Sequence, residues 1–283
     1  LIAIGARDAA PGATQHIVTK RSVADRQPAV RLLLAEDNVI NQKVAVKILD
    51  KLGYSVDVAS SGREAVEAAA LRRYDLILMD VQMPERDGFE ATAAIRAREQ
   101  ESGIRTPIVA MTAHVMSGDR ARCIEAGMDD YLPKPISAQA ISAILTRYIE
   151  PSHPPVTDES APLGDTMIAA FDKDELLERL EGDSELCREL AHEFVNDFLR
   201  RQDVLRAAIA QRDARAVELQ AHTIKGASSA MCASAMAAMA AKLEDAGRTK
   251  ELASAEQIMS TLGEAFAALC KRFSEEGLLS DQE

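Results

Sequence analysis

The run Leu76-Ile77-Leu78-Met79-Asp80 constrains this chain more than any other stretch. Apolar without a break and closed by a carboxylate, it reads as a strand covered on both faces that delivers Asp80 to its carboxyl-end tip. Such a strand needs helices above and below it, and the flanking sequence supplies them. Leu32-Leu33-Leu34-Ala35 is a second buried strand running into Glu36-Asp37-Asn38, and Ile40, Val44, Ile48 and Leu52 follow at helical spacing up to Gly53. Strands are expected at 54–59, 108–111 and 130–132. Helices are expected at 62–73, with its alanines facing inward, near 89–98, at 117–126 before Gly127, and last around Ile136, Ile141, Ile144, Leu145 and Tyr148. This alternation predicts an α/β, doubly wound, five-stranded parallel sheet over residues 29–150.

In sheets of that kind chemistry gathers beyond the carboxyl ends of the strands. The first strand ends at Glu36 and Asp37, the third at Asp80, the fourth at Thr112 and the fifth just before Lys134. Carboxylates brought this close repel by roughly 4 kcal/mol per pair at an effective dielectric of about 20. A divalent cation with hard oxygen ligands relieves that repulsion, and Mg²⁺, which takes one or two carboxylates together with phosphate oxygens, suits the set. Lys134 then offers a point charge and Thr112 a hydroxyl to phosphoryl oxygens.

Leu34-Ala35-Glu36-Asp37-Asn38, 79–88 with its Met-Asp-Val-Gln-Met-Pro run, Met111-Thr112-Ala113 and Tyr131-Leu132-Pro133-Lys134-Pro135 together resemble the receiver domain of two-component response regulators, a flavodoxin-like fold. The resemblance implies that Asp80 is the phosphoacceptor and that Glu36, Asp37, Asp80 and the Gln82 carbonyl hold Mg²⁺. It further implies that Thr112 and Tyr131 form a switch pair acting on the helix near 117–126, that Lys134 anchors the phosphoryl group, and that the Lys134-Pro135 bond is cis.

Proline and small polar residues mark 151–167 as a flexible linker, and 1–28 read as a connector from a domain upstream. The segment 168–276 shows helical periods only. A short helix spans 172–180; Asp183 caps a longer one carrying Leu186, Leu190, Phe194 and Phe198. Asp213 starts another with the inward stripe Val217, Ala221, Ile224, Ser228 and Met231. A fourth helix carries Met236, Met239 and Leu243 and is expected to stop at Gly247, and a fifth runs from Leu252 to Phe273. Antiparallel neighbours with such stripes make an all-α helical bundle, with 277–283 as a tail.

His222 lies beside the inward stripe, on what the spacing makes a solvent face shared with Glu218, Lys225 and Ser229. An exposed neutral imidazole is a competent nucleophile. The stretch 221–229, Ala-His-Thr-Ile-Lys-Gly-Ala-Ser-Ser, resembles the histidine-containing phosphotransfer (HPt) domain. That resemblance implies that His222 is the phosphorylated residue, that Lys225 steadies the phosphoryl oxygens, that Gly226 clears space for a docking receiver, and that Glu218 orients the ring. The family often places Gly ten residues after its histidine, where Cys232 stands here. His16, His114, His153 and His192 read as solvated or capping residues.

Charge is uneven: residues 151–283 hold 14 Lys and Arg against 25 Asp and Glu, while the whole chain carries −12. An acidic surface disfavours nucleic acid and anionic lipid and favours a basic partner face. Cys123, Cys187, Cys232 and Cys270 lack metal or redox spacing, which fits a reducing, cytoplasmic setting. No apolar run reaches membrane-spanning length. Together the two resemblances imply the carboxyl-terminal part of a hybrid sensor histidine kinase whose parent is anchored in the inner membrane. In that scheme an upstream histidine kinase core of the same polypeptide phosphorylates Asp80, Asp80 exchanges with His222, and His222 serves a downstream response regulator. No nucleotide-binding loop is legible, so the fragment moves a phosphoryl group without making one. The alternative is a non-catalytic docking module that occludes a kinase. A phosphatase with an aspartyl intermediate usually places a second acid two residues after its nucleophile, where Gln82 stands here.

Overall fold

The computed structural model describes residues 30–83, 85–112, 117–149, 171–180 and 182–279. The connector 1–28, the linker 151–167, residues 280–283 of the tail, and His16, His114 and His153 lie outside the described residues.

The first body alternates β1 (Leu32–Ala35), α1 (Val39–Lys51), β2 (Val56–Ala59), α2 (Gly62–Leu71), β3 (Leu76–Asp80), α3 (Gly88–Ser102), β4 (Ile108–Thr112), α4 (Ser117–Glu125), β5 (Asp130–Pro133) and α5 (Ala138–Tyr148). All strands are parallel, in the order β2-β1-β3-β4-β5. The expected sheet is therefore present, with β1 and β3 buried along their whole length because helices cover both faces. Alternate strand residues feed two cores. Leu32, Leu34, Leu76, Leu78, Val109 and Met111 face α1 and α5. Leu33, Ala35, Ile77, Met79, Ile108 and Ala110 pack with Ala65, Ala91, Ile95 and Cys123 on the other side. Of the α2 alanines Ala65 is buried and Ala68 and Ala69 are half-buried against the same core, as expected, while Ala70 is exposed.

The helix starts follow short polar caps. Asn38 Oδ1 accepts from the backbone N–H of Ile40 and Asn41, and Asp87 forms a reciprocal capping box with Glu90. These caps hold the first turns of α1 and α3 immediately beyond the tips of β1 and β3.

The second body comprises α6 (Lys173–Arg179), α7 (Ser184–Ala210), α8 (Ala214–Ala230), α9 (Ser234–Thr249) and, after a short 3₁₀ turn, α10 (Ala255–Glu275). Asp183 and Asp213 cap α7 and α8 as their positions predict. The stripe Val217, Ala221, Ile224, Ser228 and Met231 is buried, and Phe171, Phe194 and Phe273 pack edge to face at one end of the core. Gly247 does not end its helix: α9 runs on to Thr249 and Lys250 takes the left-handed conformation. A Cβ at Gly247 would lie 2.5 Å from the Glu218 backbone nitrogen, so this glycine serves the close approach of α8 and α9. Cys232 is buried with a φ of 54°, the conformation that a glycine adopts most readily. The described cysteines form no disulfide.

The two bodies touch. α1 packs against α7 and α8, and the core on the α1 side of the sheet is continuous with the bundle core.

Candidate functional site

The tips of β1, β3 and β5 converge as expected. Lys134 Nζ lies 2.6 Å from Glu36 Oε2 and 2.7 Å from Asp80 Oδ2, with its side chain only 7% exposed. The Lys134 backbone N–H donates to the Thr112 carbonyl at 2.8 Å, which ties β5 to the tip of β4. Asn41 Nδ2 donates to Glu36 Oε1 at 2.9 Å, and the Gln82 N–H donates to Asp80 Oδ1 at 3.2 Å. The Lys134-Pro135 peptide is cis. Thr112 and Tyr131 are half-buried on the same side of Asp80, on β4 and β5.

Glu36, Asp37 and Asp80 each offer a carboxylate oxygen within 4.8 Å of the others. Glu36 Oε2 and Asp80 Oδ2 are buried, and Lys134 Nζ is the group that meets both of them. Two such oxygens, with a third acid at hand, fit a hard divalent cation. Burial pushes the Asp80 carboxyl up to about 8, with Lys134 opposing and Glu36 and Asp37 adding to the rise. Burial and Glu36 likewise lift Asp37 to about 6. Burial works against the Lys134 ammonium, but Asp80 and Glu36 more than offset it, so the amine stays charged. This pocket is short of positive charge, the condition under which a cation binds.

His222 departs from the expectation of a solvent face: it is 5% exposed. Ala221, His222, Thr223 and Ile224 are all buried, and four consecutive helical residues sweep most of a turn. One neighbour cannot cover that arc. α9, which brings Glu244 to the ring, and α7 pack on α8, and α1 of the receiver-like body touches it as well. Lys134 and Gly226, the latter one turn along α8 from His222, line one small cleft, so this stretch of α8 abuts the receiver-like body. A Cβ at Gly226 would meet Asn41 Nδ2 at 3.2 Å, so the missing side chain admits α1 at this turn.

Glu218 does not orient the imidazole. It pairs with Arg215 at 3.0 Å, one turn back on its own helix. The partner is Glu244 of α9, whose Oε1 lies 2.7 Å from His222 Nδ1 and whose Oε2 holds Lys225 Nζ. Burial lowers the His222 pKa by more than Glu244 raises it, so the ring is neutral. Nδ1–H then donates to the carboxylate and Nε2 keeps its lone pair. Burial alone would raise Glu244, but His222 and Lys225 bring it down to about 2. A sequence signal for Glu244 was slight, because it stands next to the inward residue Leu243 where spacing separates no functional carboxylate from a flank.

The depressed Glu244 pKa sets a pH signature. Its ionised form stabilises the fold fully above the ordinary carboxylate value of about 4.5, and that contribution is lost as pH falls through about 2. Glu244→Gln is expected to cost roughly 1–3 kcal/mol near neutrality, and urea unfolding of the two chains should converge between those two values. A constant gap across that window would contradict the ion-pair assignment.

Residues 32–146 match the family model described as response regulator receiver domain, and residues 189–272 match the Hpt domain. Over 213 residues the chain is 31% identical to the sensor histidine kinase GacS of Pseudomonas protegens, covering 74% of this chain and 23% of the relative. It is 48% identical over 120 residues to hybrid signal transduction histidine kinase B of Dictyostelium discoideum, covering 39% of this chain and 6% of that protein. Among solved structures, the receiver domain of sensor histidine kinase PA1611 from Pseudomonas aeruginosa, with magnesium coordinated in its cleft, is 47% identical, covering 43% of this chain and 98% of that one at a TM-score of 0.40. The chain thus spans less than a quarter of the length of these two curated relatives. No described helix is long and apolar enough to cross a membrane. Residues 32–146 belong to the response regulator receiver family and residues 189–272 to the Hpt family, the two domain types of phosphorelay signalling.

Proposed function

We propose that this chain relays a phosphoryl group between Asp80 and His222, receiving it from a histidine kinase core and passing it to a downstream response regulator. The observation that supports this most is that Lys134, which pairs with Glu36 and Asp80, lines one cleft with Gly226, a turn along α8 from His222, while Asn41 of α1 meets the same glycine. In the first step an Asp80 carboxylate oxygen attacks the phosphorus of a phosphohistidine; a P–O bond forms and the donor's P–N bond breaks. In the second, His222 Nε2 attacks that phosphorus in line, a P–N bond forms, and Asp80 leaves as a carboxylate. The imidazole retains its Nδ1 proton, and the Glu244 carboxylate balances the positive charge that develops on the ring.

Lys134 holds phosphoryl oxygens on the receiver side and Lys225 on the bundle side. Glu36, Asp37, Asp80 and the Gln82 carbonyl would hold Mg²⁺, which when bound neutralises charge on the transferring oxygens. Thr112 and Tyr131 form the switch pair that reports the added charge, about −1.5 to −2, to α4. Tyr131 resonances unchanged after phosphoryl uptake would remove that residue from the switch.

His222→Gln separates this reading from a non-catalytic docking module. With acetyl phosphate as donor and acid-stable and base-stable label counted separately, the variant is expected to hold all its label as acyl phosphate on Asp80, whereas the parent chain also accumulates base-stable phosphohistidine. Absence of label from both residues of the parent chain would favour docking alone.

A further inference from the structure

α1 carries Lys43 and Lys47 one helical turn apart, and both reach across to α7. Lys43 Nζ lies 2.6 Å from Glu189 and also pairs with Glu193, the next residue on that face; Lys47 Nζ lies 2.6 Å from Asp183, the cap of α7. These ion pairs join the two bodies by opposite charge, and they lie on the helix whose Asn41 meets Gly226. Each lysine side chain is about one-third exposed, so any single pair contributes little. Their grouping matters more: a pair of cations meets a row of acids on a segment that holds 25 Asp and Glu against 14 Lys and Arg. Reversing the lysines turns attraction into repulsion at every pair together. Apolar contact around Val44, Ile136 and Ala230 brings the bodies together without choosing between similar helices; charge does the choosing.

We propose that Lys43 and Lys47 on α1 with Asp183, Glu189 and Glu193 on α7 form a charge latch that selects which receiver covers His222. The chain's own receiver is the resident occupant. His222 is buried one turn from Gly226, the residue that Asn41 of α1 meets, so the latch opens before the imidazole can serve a second protein. The outgoing partner is then a receiver that offers a matching pair of cations one turn apart on its first helix. The latch is a property of docking, while its bearing on phosphoryl traffic rests on the function proposed above.

Chemical access to His222 tests the latch without any phosphoryl chemistry. The full chain, its Lys43→Glu/Lys47→Glu variant, and a third chain that adds Asp183→Lys, Glu189→Lys and Glu193→Lys are treated with diethyl pyrocarbonate. Carbethoxylation of the peptide containing His222 is followed by mass spectrometry, with circular dichroism checking that each chain is folded. The lysine reversal is expected to raise the rate about tenfold, and the compensating acid-to-lysine changes to bring it back within about twofold of the parent. Raising NaCl from 0.05 to about 0.5 M should expose His222 in the parent chain, as screening predicts. Equal rates in the parent and the lysine-reversed chain overturn the latch, whether both are slow or both are fast. If the reversal exposes His222 while the parent never carries phosphohistidine, the latch stands and the relay reading falls.

Discussion

Asp80→Asn is expected to abolish phosphoryl uptake on both domains, leaving neither acyl phosphate nor phosphohistidine when the chain is supplied with acetyl phosphate. The amide keeps the shape of the side chain but removes the anionic oxygen that attacks phosphorus. Asp80 Oδ2 is the buried oxygen that faces Lys134, whose Nζ lies 2.7 Å away. Asp37 and Glu36 are not substitutes. Glu36 Oε1 is engaged by Asn41, and Asp37 stands at the tip of β1, a strand removed from the Asp80 position. His222 should also remain unlabelled, since in this account it draws on Asp80 and not on the small donor. Label on His222 in the Asp80→Asn chain would mean that the imidazole is loaded by another route. Intact-mass spectrometry before and after base treatment reads both outcomes.

Lys134→Met is expected to produce the largest change in stability. The ammonium is the counter-charge for Glu36 and Asp80, and both carboxylates are buried. Removing one partner of a buried ion pair costs roughly 3–5 kcal/mol, because the remaining charge is stranded. The cost depends on pH in a definite direction. Asp80 and Asp37 already titrate high, at about 8 and about 6, and lose a counter-charge in the variant. Groups whose folded pKa is raised stabilise the fold when protonated and lose that stabilisation as pH rises through the folded value. The deficit of Lys134→Met should therefore be greatest above about 8 and shrink toward 4, where both acids take up protons. Millimolar Mg²⁺ should recover part of it, since binding to the folded state alone adds stability by mass action. Urea unfolding at both ends of that range, with and without Mg²⁺, measures each part of this expectation. A deficit independent of pH would mean that the lysine acts through packing of its stem.

The sheet and the acid pocket were legible in the sequence because each strand announces itself. Leu76–Asp80 is a run too short and too apolar for anything but a doubly covered strand, and the parallel alternation then forces its last residue next to the ends of β1, β4 and β5. Helical spacing likewise located Val217, Ala221, Ile224, Ser228 and Met231 in the bundle interior. The burial of His222 was not legible, for a physical reason: periodicity on one helix marks its inward stripe, whereas this residue is buried among neighbours from other elements, Glu244 of α9 among them, whose approach no local pattern encodes. Glu244 was hidden by the same limit, since its role exists only where α9 crosses α8. Gly247 misled in the opposite sense. A glycine near a helix end usually stops it, but here the helix needed closeness to the Glu218 backbone, and the stop came later at Lys250.

The two resemblances that the motifs carried, to a receiver and to an HPt domain, agree with the families found for residues 32–146 and 189–272. Beyond those families, α1 packs against α7 and α8, so the sheet-bearing body and the bundle share one core. An acidic bundle suggested a basic partner face, and the lysines of α1 provide one within the same chain.

The most direct measurement is the rate at which label leaves Asp80 for His222 in the chain as it stands, after a short pulse of acetyl phosphate and removal of the donor, followed at protein concentrations spanning a hundredfold. Exchange within a docked pair predicts one first-order rate at every concentration, with phosphohistidine rising as acyl phosphate falls. A rate that climbs in proportion to concentration, or acyl phosphate that decays to inorganic phosphate without any phosphohistidine, would contradict it.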